Sequence, residues 1–403
     1  AVNQALHTPH SMHAPEATSL TSALFPRMAQ ACADAGGWLP FDRFMALALY
    51  EPGLGYYAND RPKLGRMPQT PGHGGVAHEG SDFVTAPEMS PLFGQAVARQ
   101  VVDALQATGT REVWEFGAGT GALALQILQH VSQAHQATDG NLIHKYTIVD
   151  LSGSLRARQQ DVLREFGDRV VWADRLPAQL QGVVLGNEVL DAMPVKLLAR
   201  QRGEWCERGV ALAEARDGWV WQDRPTALRP PVEVPGDHDF VTEIHPQAEA
   251  FLRTLADRLV RGAAFFIDYG FPEAEYFHPQ RDAGTLVCHH LHRMDADPLV
   301  RVGEKDITAH VNFTGAALAA QDGGMDVLGY TTQARFLFNC GLGPLLDALP
   351  HDSHGVAQRA MAAKLVNEHE MGELFKVLGL APAGQAEGWV PVGFAAGDRT
   401  HTL

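Results

Sequence analysis

Between residues 114 and 189, four short apolar runs follow one another: WEFG, YTIVD, RVVWAD and GVVLGNEV. Segments of helical periodicity separate the first three, and a fifth run, AAFFIDYG, ends at Gly270. Near-continuous apolar runs of this length suit strands covered on both faces. Strands alternating with helices imply an α/β fold with a mostly parallel, doubly wound sheet. The ligand crevice of such a sheet lies at the carboxyl ends of its strands. MDVLGYTT and ELFKVLGL offer two later strands.

At 403 residues and 43.7 kDa the chain exceeds the usual single core, so additions to this sheet are expected. Residues 1–18, rich in His, Ala, Pro and Ser, read as a leader. Residues 19–85 read as a helical and loop extension: two helices broken by GGWLP, then a Gly- and Pro-dense loop over 61–81. SDFVTAPEMSPLFGQAVARQVVDAL returns to helix. The remaining domain, 86–403, carries a β-rich insertion at about 200–240 and a further distinct segment at about 276–320.

The net charge of −15 lacks the basic footprint that nucleic acid requires, which argues against a nucleic-acid partner. Cys32, Cys206, Cys288 and Cys340 form no CxxC pair, so neither a disulfide framework nor a zinc ribbon is expected. No run approaches the roughly 20 apolar residues that insertion into a membrane needs. With no basic n-region visible, the protein is expected in the cytoplasm.

The first strand runs into Gly117, Ala118, Gly119 and Gly121 before a helix begins. GAGTGA satisfies the dinucleotide pattern, so NAD or FAD stays open on glycines alone. A P-loop is excluded, because no Lys-Ser or Lys-Thr follows. Glu115, two residues before Gly117, would repel a pyrophosphate but suits a ligand bearing an ammonium group. S-adenosyl-L-methionine has an ammonium and a sulfonium and no phosphate. Asp150, ending the next strand, can accept two ribose hydroxyls, which supports a ribose without choosing between cofactors.

The fourth strand ends in GNEVLDAMPV, which clusters Asn187, Glu188 and Asp191 beside the proposed methyl donor. Charged groups there are costly unless paired or functional. If Glu188 starts a helical turn, Glu188 and Asp191 share one face and can hold a guanidinium fork. A cap for Asp191 and a core arginine for Glu188 are the structural alternatives.

LYEPGLGYY, SDFVTAPEMSPLFG, WEFGAGTGALA, GNEVLDAMPV, FIDYGF and GEKDITAHVNFTG occur in this order over most of the chain. In these motifs the chain resembles the MidA-like family of class I methyltransferases. That resemblance implies a Rossmann-like core with an N-terminal helical extension and family-specific insertions. It implies S-adenosyl-L-methionine as cofactor and, through the mitochondrial complex I assembly member, arginine methylation of a protein. The partner implied for this bacterial relative is then a protein substrate, with a respiratory-complex subunit as one candidate; a homodimer is left open.

The family's donor site falls on Glu115, Gly117, Ala118, Gly119, Gly121, Asp150, Leu151 and Asn187, with Asp174 as an adenine neighbour. Thr85, Pro87, Glu88 and Ser90 match a segment expected to fold over the donor. Glu188, Asp191 and His310 are the catalytic candidates, with Asp306 and Asn312 beside them on the substrate side of the 276–320 segment. This copy reads HVNF where the family pattern has HVDF. CHHLH, with Cys288, His289, His290 and His292, falls in an expected strand that splits neighbours between two faces, so no metal is expected. The competing functions are a donor-binding assembly factor without turnover and an NAD-dependent oxidoreductase.

Overall fold

The computed structural model describes residues 16–59, 84–135, 141–150 and 155–403. Most of the expected leader, the 61–81 loop and Leu151 lie outside the described residues.

Helix α1 (Glu16–Asp34) begins inside the stretch read as leader. It is followed by the two-residue strand β1 (Leu39–Pro40) and α2 (Phe41–Tyr50). The sequence predicts one helix after SDFVT, but the chain forms two, α3 (Ala86–Met89) and α4 (Pro91–Thr108). The break falls at Ser90, which is extended at φ −155°. A residue preceding proline is driven from the helical region, and the Ser90 side chain instead accepts the Leu92 N–H as a cap.

The central sheet uses β2 (Glu112–Phe116), β3 (Lys145–Val149), β4 (Val170–Ala173) and β5 (Leu180–Asn187). Helices α5 (Ala122–Ala134) and α6 (Arg156–Val162) connect the first three. A second sheet follows: β6 (Lys196–Gln201), β7 (Glu204–Leu212), β8 (Trp219–Pro225) and β9 (Phe240–Ile244), all antiparallel, with β1 added to β7. The chain then re-enters the core through α7 (Pro246–Arg258) and the long β10 (Leu259–Phe271).

Beyond the short α8 (Glu273–Tyr276), strands β11 (Val287–His290), β12 (Arg293–Asp295) and β13 (Asp306–Thr308) make a third small sheet. Strand β14 (Val311–Asn312) leads into α9 (Phe313–Asp322) and β15 (Met325–Thr332). Helices α10 (Gln333–Asn339), α11 (Leu342–Asp347) and α12 (Ser353–Val366) precede the last strand, β16 (Phe375–Pro382).

The core order is β15-β16-β10-β5-β2-β3-β4. Strands β10, β5, β2, β3 and β4 are parallel; β16 and β15 run antiparallel beside β10. This is the mostly parallel α/β sheet expected. Strand order reverses between β2 and β5, which opens the crevice at their carboxyl ends. Side chains along β10 alternate between two cores: Ala263, Phe265 and Ile267 face α4 and α5, while Ala264 and Phe266 face α7 and α9. A third core packs Phe41, Phe44 and Met45 of α2 against Leu197, Val210 and Trp219 of the second sheet. Through that packing the end of α2 is held over the crevice. No helix among the described residues is long and apolar enough to cross a membrane.

Candidate active site

The β2–α5 turn places Gly117, Gly119 and Gly121 at φ +60°, +56° and +86°. Glycine occupies this left-handed region without Cβ penalty. A Cβ on Gly117 would also press against Val189 Cγ2 at 3.0 Å. Gly121 starts α5, and the Gly119 carbonyl is fixed by Gln159 Nε2 at 2.8 Å.

Gly117, Ala118 and Gly119 form one wall of a cavity of about 1150 Å³; Gly121, expected at the donor, does not line it and serves as the start of α5. Small-ligand pockets usually occupy roughly 300–1000 Å³, so this space suits two reactants better than one. Thr85, Pro87, Glu115, Gly117, Ala118, Gly119, Asp150 and Asn187 line one part of it. Glu188, Asp191, Asp306 and His310 line another.

Glu115 is 2% exposed, and its Oε1 accepts the Tyr146 hydroxyl at 2.6 Å. Burial pushes its carboxyl up to about 7, against the lowering effect of Tyr146.

Glu188 does not start a helical turn, contrary to the sequence expectation. It sits at φ +54°, its N–H bonded to the Ile267 carbonyl at 2.8 Å, and only Leu190–Ala192 form a 3₁₀ turn. A non-glycine residue held there is strained, and such strain gathers at functional sites. Both carboxylates nevertheless reach the same cavity. Glu188 Oε2, Asp191 Oδ1, Asn187 Oδ1 and His310 Nδ1 are buried atoms without a hydrogen-bond partner. Among the described residues, no Lys or Arg forms a salt bridge with Glu188 or Asp191. Burial, then the charges of Asp191 and Asp306, raises the Glu188 carboxyl well above the ordinary range. Burial raises Asp191 to about 6, opposed by its bond to the Tyr269 hydroxyl.

Because the Asp191 carboxyl is raised on folding, from 3.8 to about 6, its contribution to stability is full below the lower value. It is lost as pH rises through the upper one. Asp191→Asn should therefore raise the urea midpoint at neutral pH, and the gain should fade as pH falls from about 6 toward 3.8. Equal stability of the two proteins at neutral pH would contradict this.

His310 packs between Phe271, stacked at 5.4 Å, and Tyr269, edge-on at 4.9 Å. Burial, with Arg281 and Lys376 nearby, lowers its imidazole to about 4.

Other expected site residues lie elsewhere. Glu88 turns its carboxylate to the Thr120 hydroxyl, and Ser90 is the α4 cap. Asp174 is exposed and paired with Arg156 at 2.8 Å; Arg175 and Leu176 line the cavity in its place. Asn312 caps α9 through the Gly315 N–H at 3.2 Å. An aspartate would serve that cap equally, so the HVNF departure affects a helix start rather than the cavity. CHHLH is not one strand: Leu291 and His292, at φ +48° and +63°, turn between β11 and β12. Among the described residues no cluster of three His, Cys, Asp or Glu could hold a metal.

Sequence reasoning missed three cavity groups, Tyr50, Tyr57 and Tyr269, and one residue behind the wall, Asp268. Tyr50 and Tyr57 lie in LYEPGLGYY, and Asp268 and Tyr269 in FIDYGF, motifs whose roles were not assigned. Tyr50 donates to the Ala192 carbonyl and Tyr57 to Asp306 Oδ1, both at 2.7 Å, and their rings stack at 5.6 Å. Asp268 accepts the N–H groups of Leu190 and Asp191 from behind the cavity wall.

Residues 96–331 match the family described as "Putative S-adenosyl-L-methionine-dependent methyltransferase". The chain belongs to this family. It is an S-adenosylmethionine-dependent methyltransferase, and that compound is its methyl donor.

A Burkholderia thailandensis crystal structure bound to S-adenosyl-homocysteine is 46% identical. It superposes with a TM-score of 0.88, over 99% of this chain and 100% of that one. A native structure from the same organism is 45% identical, with a TM-score of 0.85 and the same coverage. The Drosophila melanogaster protein arginine methyltransferase NDUFAF7 homolog is 28% identical over 89% of this chain and 86% of its own. The Homo sapiens protein arginine methyltransferase NDUFAF7 is 26% identical over 86% and 80%.

The donor's features fit the cavity wall of this methyltransferase. The Cβ-free turn admits close backbone approach, the Asp150 carboxylate directly follows β3, and the Asn187 side-chain oxygen is buried without a partner.

Proposed function

We propose that this methyltransferase transfers methyl groups to an arginine side chain of a protein. The observation that carries this reading is the pair of unpartnered carboxylate oxygens on Glu188 and Asp191, in a cavity continuous with the glycine turn. Buried carboxyls without a cation hold protons until one arrives, and a guanidinium is planar, permanently charged and rich in donors. The named arginine methyltransferases among the relatives point the same way.

In this reading Glu115, Gly117, Ala118, Gly119, Asp150 and Asn187 hold the donor, with Thr85 and Pro87 closing over it. The donor supplies an electrophilic methyl on its sulfonium sulfur. Glu188 and Asp191 orient the guanidinium and draw its charge away from the attacking nitrogen, so alignment carries much of the rate. The nitrogen gains the methyl, the sulfur–carbon bond breaks, and the guanidinium nitrogen gives up one proton. The Glu188–Asp191 pair is the acceptor for that proton, since its carboxyls are raised while the His310 imidazole is lowered. His310, held between aromatic rings, shapes the wall.

The test is lysate from a strain lacking the protein, incubated with purified enzyme and labelled donor, then mass spectrometry of labelled proteins. Methylarginine in one or a few proteins is the expected result, with respiratory-complex subunits the first to inspect. Label on small molecules alone, or on lysine, would overturn the proposal. Donor binding with no label anywhere would favour an assembly factor.

A further inference from the structure

Asp268 does not line the cavity. It lies behind the two carboxylates and is 1% exposed. Its Oδ2 accepts the backbone N–H groups of Leu190 at 3.0 Å and Asp191 at 3.2 Å; its Oδ1 accepts the Tyr269 N–H at 3.0 Å. One residue earlier on β10, Ile267 holds the Glu188 N–H. Adjacent residues of one strand therefore grip both sides of the left-handed Glu188, a conformation that persists only when its surroundings over-determine it.

The charges around Asp268 are almost all of one sign. Glu188 and Asp191 act on it from the β5 turn and Tyr269 from β10, while Asp306 of β13 adds its charge at Glu188, and Tyr50 and Tyr57 line the same cavity as the two carboxylates. On β16 its Cα partner is Lys376, but that ammonium is turned to the carbonyls of Gly270, Glu373 and Leu374. Arg281 lies over the Phe271 ring. Among the described residues no cation forms a salt bridge with Asp268. Three neighbouring buried carboxylates without a counter-ion cannot all ionise, and their protons belong to the group rather than to one member. Burial, then the charges of Asp191 and Glu188, pushes the Asp268 carboxyl up.

We infer that Asp268 is the positioning residue of the Glu188–Asp191 pair: it clamps their strained turn and joins them in a proton-holding cluster that a substrate cation empties. The inference rests on the guanidinium reading above and adds proton release on substrate entry. Entry of the cation lets the carboxyls ionise, and the displaced protons leave to solvent.

The test uses the full chain saturated with S-adenosylhomocysteine and titrated with ethylguanidinium by calorimetry between about pH 5 and 8. In the native protein affinity should rise with pH and protons should be released. Asp268→Asn keeps an oxygen for the Leu190 and Asp191 N–H groups but removes one carboxyl. The midpoint of the rise should then move down by on the order of one pH unit. Asp268→Leu offers no acceptor and should weaken ethylguanidinium binding at least about tenfold, with S-adenosylhomocysteine affinity unchanged.

A native midpoint in the Asn variant, or native affinity in the Leu variant, would overturn the inference. Should the native protein bind no ethylguanidinium at any pH, the guanidinium reading falls on its own. Infrared titration of the carboxyl band needs no substrate, and identical curves for native protein and the Asn variant would then overturn the cluster itself. The Asn variant and this infrared comparison carry the test if the Leu variant fails to fold.

Discussion

Alanine at Glu188 or at Asp191 should leave S-adenosylhomocysteine affinity near native while lowering methyl transfer by on the order of 10²- to 10³-fold. The two functions come from different parts of the crevice. The wall proposed for the donor belongs to β2, β3 and the turn between β2 and α5. The carboxylates belong to the turn after β5, pinned by β10. Removing one carboxylate leaves its partner to hold a buried cation alone, and truncating half of such a charge pair costs about 2–5 kcal/mol. The loss should fall mainly on kcat if the pair orients the attacking nitrogen, because misalignment penalises the transition state more than binding. Calorimetry with S-adenosylhomocysteine and label incorporation into the protein substrate measure the two halves. Loss of donor affinity in either variant as deep as in Gly119→Val would defeat this division of labour.

Gly119→Val is the second large effect. Gly119 lines the cavity at φ +56°, a region that a β-branched residue enters only under strain. Its carbonyl is tied to Gln159, whose own Oε1 accepts the Trp172 indole N–H at 2.9 Å, so the turn has little freedom to relax. In the proposed donor site the added valine side chain would compete with the donor for that wall of the cavity. The variant should lose the thermal stabilisation that S-adenosylhomocysteine gives the native protein, with donor affinity reduced by more than about 100-fold. A ligand-induced shift equal to the native one would show that the donor does not lie against this turn.

Much of the scaffold was legible because it rests on periodicity. The β2, β3, β5 and β10 runs are apolar on both faces, and the alternation of Phe265 and Phe266 between two cores follows from strand geometry alone. The glycine turn was legible for a related reason, since residues at positive φ are restricted in type. Glu188 was not, because nothing in NEVLDA announces a left-handed glutamate; its conformation is imposed by Ile267 and Asp268, some eighty residues away. Ser90, Glu88, Asp174 and Asn312 illustrate the opposite error. Each is a polar residue in a motif pointing at the cavity, yet each side chain is engaged by a nearer partner: a helix N–H, a threonine hydroxyl or an arginine. Sequence gives the chemical type of such groups but not which of several partners wins. Tyr50 and Tyr57 escaped assignment because their partners, Ala192 and Asp306, are reached only once the third core has formed.

That third core also governs when the enzyme becomes competent. The Tyr57–Asp306 bond joins residues 249 positions apart, while the glycine turn is built within one strand–turn–helix unit. Contacts closing long loops form late in folding, since chain entropy must be lost before they return any stabilisation. A nascent chain would thus acquire the pocket proposed for the donor early and the acceptor side only later. Partly folded molecules could hold the methyl donor yet have no acceptor wall to spend it on.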